Sequence, residues 1–132
     1  MDINFHPASP ILRVENLALS LEYYQNQLGF TIDWVYEEIF ASVSRGPANI
    51  MLSQGDQGLG KAWLYIGIGD ADLLYEEYGE SGAKVRQPPT NFSWAYEMQV
   101  EDLDGNVIRF GADPKDNIPY GPWLDMEGKL WE

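Results

Sequence analysis

The chain has 132 residues, no cysteine, and a formal charge of −13 from 21 acids against eight bases. That length supports one hydrophobic core. The missing cysteines exclude disulfides, thiolate metal sites and cysteine nucleophiles, and the acidity opposes binding to nucleic acid phosphate or anionic membrane.

The opening MDINFHPASP has neither a basic nor an apolar run, and no later segment is long and apolar enough to span a bilayer. The expectation is a soluble cytoplasmic domain over 1–132. Pro7 and Pro10 keep the first residues extended, and residues 11–14 read as a short strand. Asn16 offers an N-cap, and Leu17, Leu21, Tyr24 and Leu28 recur at helical spacing, which predicts a helix over 17–28 ended by Gly29. A strand over 30–37 follows, then a hairpin of strands 39–44 and 48–53 around Arg45-Gly46-Pro47. The Gly-rich run 54–61 is a link between modules.

The cycle then restarts. Residues 62–69 read as a strand, and Asp70 caps a helix over 71–79 with Leu74, Tyr75 and Tyr78 on its buried side. A strand over 84–87 is expected to break at Pro88-Pro89. Residues 94–101 and 107–111 form a closing hairpin around Asp102-Leu103-Asp104-Gly105-Asn106, where Gly105 can take positive φ. Asn16 and Asp70 stand the same interval apart as Tyr24 and Tyr78. The order of elements therefore predicts an α+β fold of paired βαβββ modules, 9–54 and 62–111, forming a curved mixed sheet around a cleft. Residues 112–132 carry Trp123, Leu124, Met126, Leu130 and Trp131, too apolar for a free tail. They read as an arm that packs back on the domain or on a second subunit.

Candidate chemistry is sparse. His6, upstream of the first strand, is the single imidazole, so Ser9, Ser42, Ser44 and Ser93 lack a base to activate them. Glu37-Glu38 and Glu101-Asp102 are adjacent, and neighbours on a strand point to opposite faces, so neither makes a carboxylate dyad. The GLGK at 58–61 lacks the spacing and the Ser or Thr of a phosphate loop. Aromatic residues carry more: Trp34, Phe40, Trp63, Tyr65, Trp94 and Tyr96 lie in or beside predicted strands, with Asp33, Glu37, Glu38 and Glu97 interleaved. Each ring is accounted for either by the core or by an aromatic-walled cleft whose rim carboxylates suit a planar cation.

The segments PILRVENLALSLEYYQNQLGF, DADLLYEEYGESGA and VEDLDGNVIRFG together resemble the glyoxalase/bleomycin-resistance/extradiol-dioxygenase group, the vicinal oxygen chelate superfamily. The resemblance runs over 9–111 and is strongest to the bleomycin-resistance branch, whose last strand commonly carries Arg where the enzymes carry a metal-binding Glu. It implies paired βαβββ modules around a cavity, and a homodimer. Carried over residue by residue, the metal-ligand points of the catalytic members fall on Ser9, Met51, Trp63 and Arg109. A thioether is a soft, weak donor and an arginine cannot deprotonate to bind, so no metal and no other cofactor is expected.

The same geometry implies that Trp63 and Arg109 face the cavity, and strand alternation adds Tyr65. The expected ligand-binding set is Asp33, Trp34, Glu37, Glu38, Phe40, Trp63, Tyr65, Trp94, Glu97 and Arg109, with no catalytic residue. Arg109 is open to two roles, ligand contact or structural prop. The reading is a metal-free binding protein that sequesters a cationic, partly aromatic molecule such as a bleomycin-type antibiotic. Two alternatives stand beside it. One is a lyase- or dioxygenase-type enzyme with a divergent site; the other is a dimeric structural or regulatory protein that binds nothing small.

Overall fold

Capping chemistry starts both helices where the sequence places them. In this computed structural model, which describes residues 3–131, the Asn16 side chain accepts the Leu19 amide and the Asp70 side chain accepts the Leu73 amide, each at 3.0 Å. Helix α1 spans Leu17–Asn26 and α2 spans Ala71–Ser81. The second helix runs through Gly79 and stops at Gly82, whose left-handed backbone closes it, so it is longer than the expected 71–79. Tyr78 is buried as expected, whereas Tyr75 is exposed, because it lies about a sixth of a turn round the helix from Tyr78, on the side away from Leu74.

The first module consists of β1 (Ile11–Arg13), α1, β2 (Thr31–Tyr36), β3 (Phe40–Arg45) and β4 (Ala48–Ser53), with the sheet ordered β1-β4-β3-β2. The second repeats it with β5 (Trp63–Gly67), α2, β6 (Lys84–Asn91), β7 (Tyr96–Glu101) and β8 (Val107–Ala112), ordered β5-β8-β7-β6. Only β1–β4 and β5–β8 are parallel within these mixed sheets. The arm turns into a small hairpin, β9 (Trp123–Leu124) against β10 (Leu130–Trp131). The fold is the expected pair of βαβββ modules.

Two local expectations are corrected. The strand expected over 30–37 ends at Tyr36, before Glu37 and Glu38. They are the two central residues of a tight β2–β3 turn, both at positive φ (51° and 62°), closed by the Ile39 amide on the Tyr36 carbonyl at 3.0 Å. And β6 does not break at Pro88-Pro89; it runs through both prolines to Asn91. It is the outer strand of its sheet, and the prolines fall in a register irregularity between the pairs Gln87–Gln99 and Thr90–Glu97, where no ladder donor is needed.

One core joins the modules. Leu12, Val43, Ile50 and Leu52 from the first sheet pack in the same cluster as Met98, Val100, Ile108 and Phe110 from the second, with Leu17, Tyr24 and Tyr78 from the helices. Polar clasps link the halves at two matched places. Tyr24 donates to the Asp102 carboxylate at 2.9 Å, and Tyr78 donates to the Leu28 carbonyl at 2.8 Å. Burial pushes the Asp102 carboxyl up, against hydrogen bonds from Asn106, Asp104 and Tyr24 that pull it down. Arg45 reaches Glu77 with two hydrogen bonds of 2.6 and 2.8 Å. Strand alternation sends the residues between the core positions to the opposite face of each sheet, and those faces carry the candidate site.

Candidate functional site

Matched register irregularities shape both outer faces. In the first sheet Ile32 pairs with Val43 and Trp34 with Ser42, leaving Asp33 as the extra residue. In the second, Val85 pairs with Val100 and Gln87 with Gln99, leaving Arg86 extra. A bulge of this kind re-aims the extra side chain. Asp33 turns onto the hydroxyls of Ser42 and Ser44, which donate to its Oδ2 at 2.9 and 2.6 Å. Arg86 turns onto Gln99 Oε1 and lies over the Trp63 ring at 5.0 Å. An acid in one half is thus answered by a base in the other.

The ten expected site residues fall into two groups, one per sheet. On the first sheet Trp34 and Phe40 meet with centroids 5.5 Å apart, and Asp33 is held by the serine hydroxyls. Glu37 and Glu38 sit exposed at the turn beyond them. On the second sheet Tyr65, Trp94, Glu97 and Arg109 form a connected cluster, and Trp63 lines a cleft with Arg109. Among the described residues no hydrogen bond, ion pair or ring contact joins the two groups.

The second group is organised around a buried ion pair. Glu97 is 1 % exposed. Arg109 gives it two hydrogen bonds, Nε to Oε2 at 2.7 Å and Nη2 to Oε1 at 2.9 Å, and Trp94 Nε1 donates to Oε1 at 2.6 Å. The sequence read Glu97 as a rim acid facing a ligand; it lies instead behind Arg109, with its charge already met. The Glu97 carboxylate pushes the Arg109 guanidinium up, burial opposing it. The guanidinium also lies over Tyr65 at 5.9 Å and over Trp123 at 5.7 Å. Register explains the Tyr65 contact, since Tyr65 is the direct partner of Arg109 across β5–β8. Gly111 leaves room for the phenol, for a Cβ there would collide with the Tyr65 hydroxyl.

Sequence reading missed three members of this cluster. Phe92 stacks flat on Trp94 with centroids 4.9 Å apart, and Trp123 meets both edge-on at 5.9 and 5.3 Å. The third is Arg86. Phe92 lay beyond the expected break at Pro88-Pro89. The signal for Trp123 was its apolar setting in the arm, which pointed to packing without showing where. Between sheet and arm lies a cleft of about 290 Å³, walled by Trp63, Gln99, Arg109, Trp123 and Met126. A second cleft of the same size lies elsewhere, between the β3–β4 turn and the start of α2.

The donors at the family's metal points do not fit a divalent cation. Met51 brings a thioether, Trp63 an indole, and Arg109 a guanidinium whose carboxylate partner is fully engaged. Among the described residues no three His, Cys, Asp or Glu side chains are placed to share a metal.

The sequence profile of the family described as the Glyoxalase/Bleomycin resistance protein/Dioxygenase superfamily matches residues 5–110. No curated relative matches the chain by sequence. Among solved structures, one similar fold is the bleomycin-binding protein of bleomycin-producing Streptomyces verticillus, solved with copper(II)-bleomycin. It has 23% identity and a TM-score of 0.66 over 84% of this chain and 98% of that one. TnmS3, an antibiotic binding protein from Streptomyces sp. CB03234, has 18% identity and a TM-score of 0.73 over 86% and 100%. TioX from Micromonospora sp. ML1 has 15% identity and a TM-score of 0.68 over 86% and 100%. At these identities the likeness is one of fold.

Proposed function

The chain belongs to the Glyoxalase/Bleomycin resistance protein/Dioxygenase superfamily, and from that premise we propose that it is a binding protein which sequesters a cationic, partly aromatic small molecule of the bleomycin type without a metal of its own. The observation that carries this reading is the Glu97–Arg109 pair within a ring cluster on the second sheet. It fills the last metal point with a neutralised charge, so Arg109 offers no open cation; Arg86, over Trp63, is held by the neutral acceptors Gln99 Oε1 and the Asp125 carbonyl. Trp63, Tyr65 and Trp94 then supply stacking area.

Two further observations support the ligand class. The net charge of −13 raises the local concentration of cations. Two proteins of the same fold bind antibiotics, one of them copper(II)-bleomycin. The first sheet's outer face, with Trp34, Tyr36 and Phe40 and the acids Asp33, Glu37 and Glu38, gives the ligand its second wall when a homodimer brings it against the second sheet of the other copy. Half-exposed Trp34 and exposed Tyr36 favour such a covering.

The test is calorimetric titration of bleomycin into the wild type and into Trp63→Ala. The substitution should weaken binding by about 1–3 kcal/mol through lost stacking and area. Equal affinity in both proteins would remove the second sheet from the site.

A further inference from the structure

Past residue 110 the chain leaves the stretch that matches the family, yet it stays on the second sheet. Asn91, 2 % exposed, donates through Nδ2 to the carbonyls of Lys115 and Ile118, both at 2.9 Å, and accepts the Lys115 amide at 2.8 Å. The Asn91 carbonyl accepts the Gly121 amide at 2.9 Å. Gln87 Nε2 donates to the Pro122 carbonyl at 3.1 Å. Gly121 is needed here, since a Cβ would run into the Thr90 methyl. Two buried amide side chains therefore bolt the root of the arm to the outer strand before the chain reaches Trp123.

The tip is placed as firmly. Trp123 packs edge-on against Phe92 and Trp94 and covers the Arg109 guanidinium. Arg86 donates to the Asp125 carbonyl, which ties the arm to the same side chain that lies over Trp63. What remains between arm and sheet is the 290 Å³ cleft. Pockets that engulf whole drug-sized ligands run to about 300–1,000 Å³. This cleft has room for one ring system, so a larger ligand of the proposed class enters it by one flat ring and leaves the rest outside. Its polar members are Gln99, whose Nε2 has no partner among the described hydrogen bonds, and Asp125, whose Oδ1 is taken by the Glu127 and Lys129 amides while Oδ2 is not.

We infer that the C-terminal arm is the specificity wall of this site: Trp123 and Met126 close a slot over Trp63 and Arg109 that takes a single flat heteroaromatic ring system bearing an amino group, with Gln99 and Asp125 as its polar contacts. This rests on the reading of the second sheet as the ligand face and adds what selects the ligand. A wall held by buried hydrogen bonds is preorganised, so ordering it costs little on binding. A bulky cage of equal charge is excluded by shape.

The experiment uses the full chain and two probes of equal charge, the flat 9-aminoacridine and the caged amine amantadine. The wild type should prefer 9-aminoacridine. Trp123→Ala should weaken it by about tenfold or more and narrow the preference, while Trp123→Phe should stay within about threefold of the wild type. Near-UV circular dichroism of each variant checks that the remaining ring cluster is intact. If Trp123→Ala binds 9-aminoacridine as tightly as the wild type, or more tightly, the arm is a bystander or a plug and the inference is wrong. Trp63→Ala separates the two levels. A loss there with none at position 123 sinks the wall alone; a loss at neither, or no binding by the wild type, sinks the ligand face and the wall with it.

Discussion

Glu97 shows how much one residue decides. Its carboxylate is out of water and is met by three donors, two from Arg109 and one from Trp94. Removing the charge alone leaves the Arg109 guanidinium without its partner in a half-buried place, the expensive way to break such a pair. Glu97→Gln should therefore lower unfolding stability by about 2–4 kcal/mol, measured by urea denaturation. The exposed pair Lys84–Glu101, with Lys84 70% exposed, should change by about 0–1 kcal/mol when Lys84 is replaced. The pair ties the Arg109 charge down within the fold, while the same side chain lines the cleft under the arm. Sequence showed that Arg109 could not hold a metal, because that follows from the side chain itself. It could not show Glu97 behind it, since the contact depends on how β7 and β8 align.

Among the elements, helices were the most legible, because Asn16 and Asp70 cap them through contacts local in sequence. Strand ends were less so. Proline at 88 and 89 breaks a central strand but not an outer one, and only the pairing order tells which β6 is. That misreading hid Asn91 and Phe92, and with them the seat of the arm. The arm itself was legible as apolar but not as to where it docks, for its partners lie far back along the chain. Asn91→Ala removes three side-chain hydrogen bonds from the root. Amide hydrogen exchange over residues 113–126 should then quicken, and stability should fall by about 1–3 kcal/mol. Unchanged exchange in that stretch would mean that ring packing at Trp123 holds the arm without the root.

At the scale of the molecule, duplication gives two sheets that share one core and carry their rings on opposite faces from it. The repeated order of elements made the fold readable, and the family match over 5–110 agrees with it. The candidate site was half readable: the rings named from the sequence fall into two separate groups only once the sheets are known, and Phe92 and Trp123 join one of them unannounced. Each chain offers an acidic aromatic face and a ring face with its own arm, which fits pairing of two copies. Sedimentation at micromolar concentration should show a dimer that persists at about 1 M salt, where charge repulsion is screened within about 3 Å. A single species of 15.0 kDa would contradict it. The central claim, a site that binds a cationic aromatic molecule without a metal of its own, is tested most directly by titrating metal-free bleomycin into chelator-treated protein across a salt series. Saturable binding of one bleomycin per chain that weakens as ionic strength rises is the predicted result. No binding until a divalent metal is restored to the protein, or affinity that grows with salt, would contradict it.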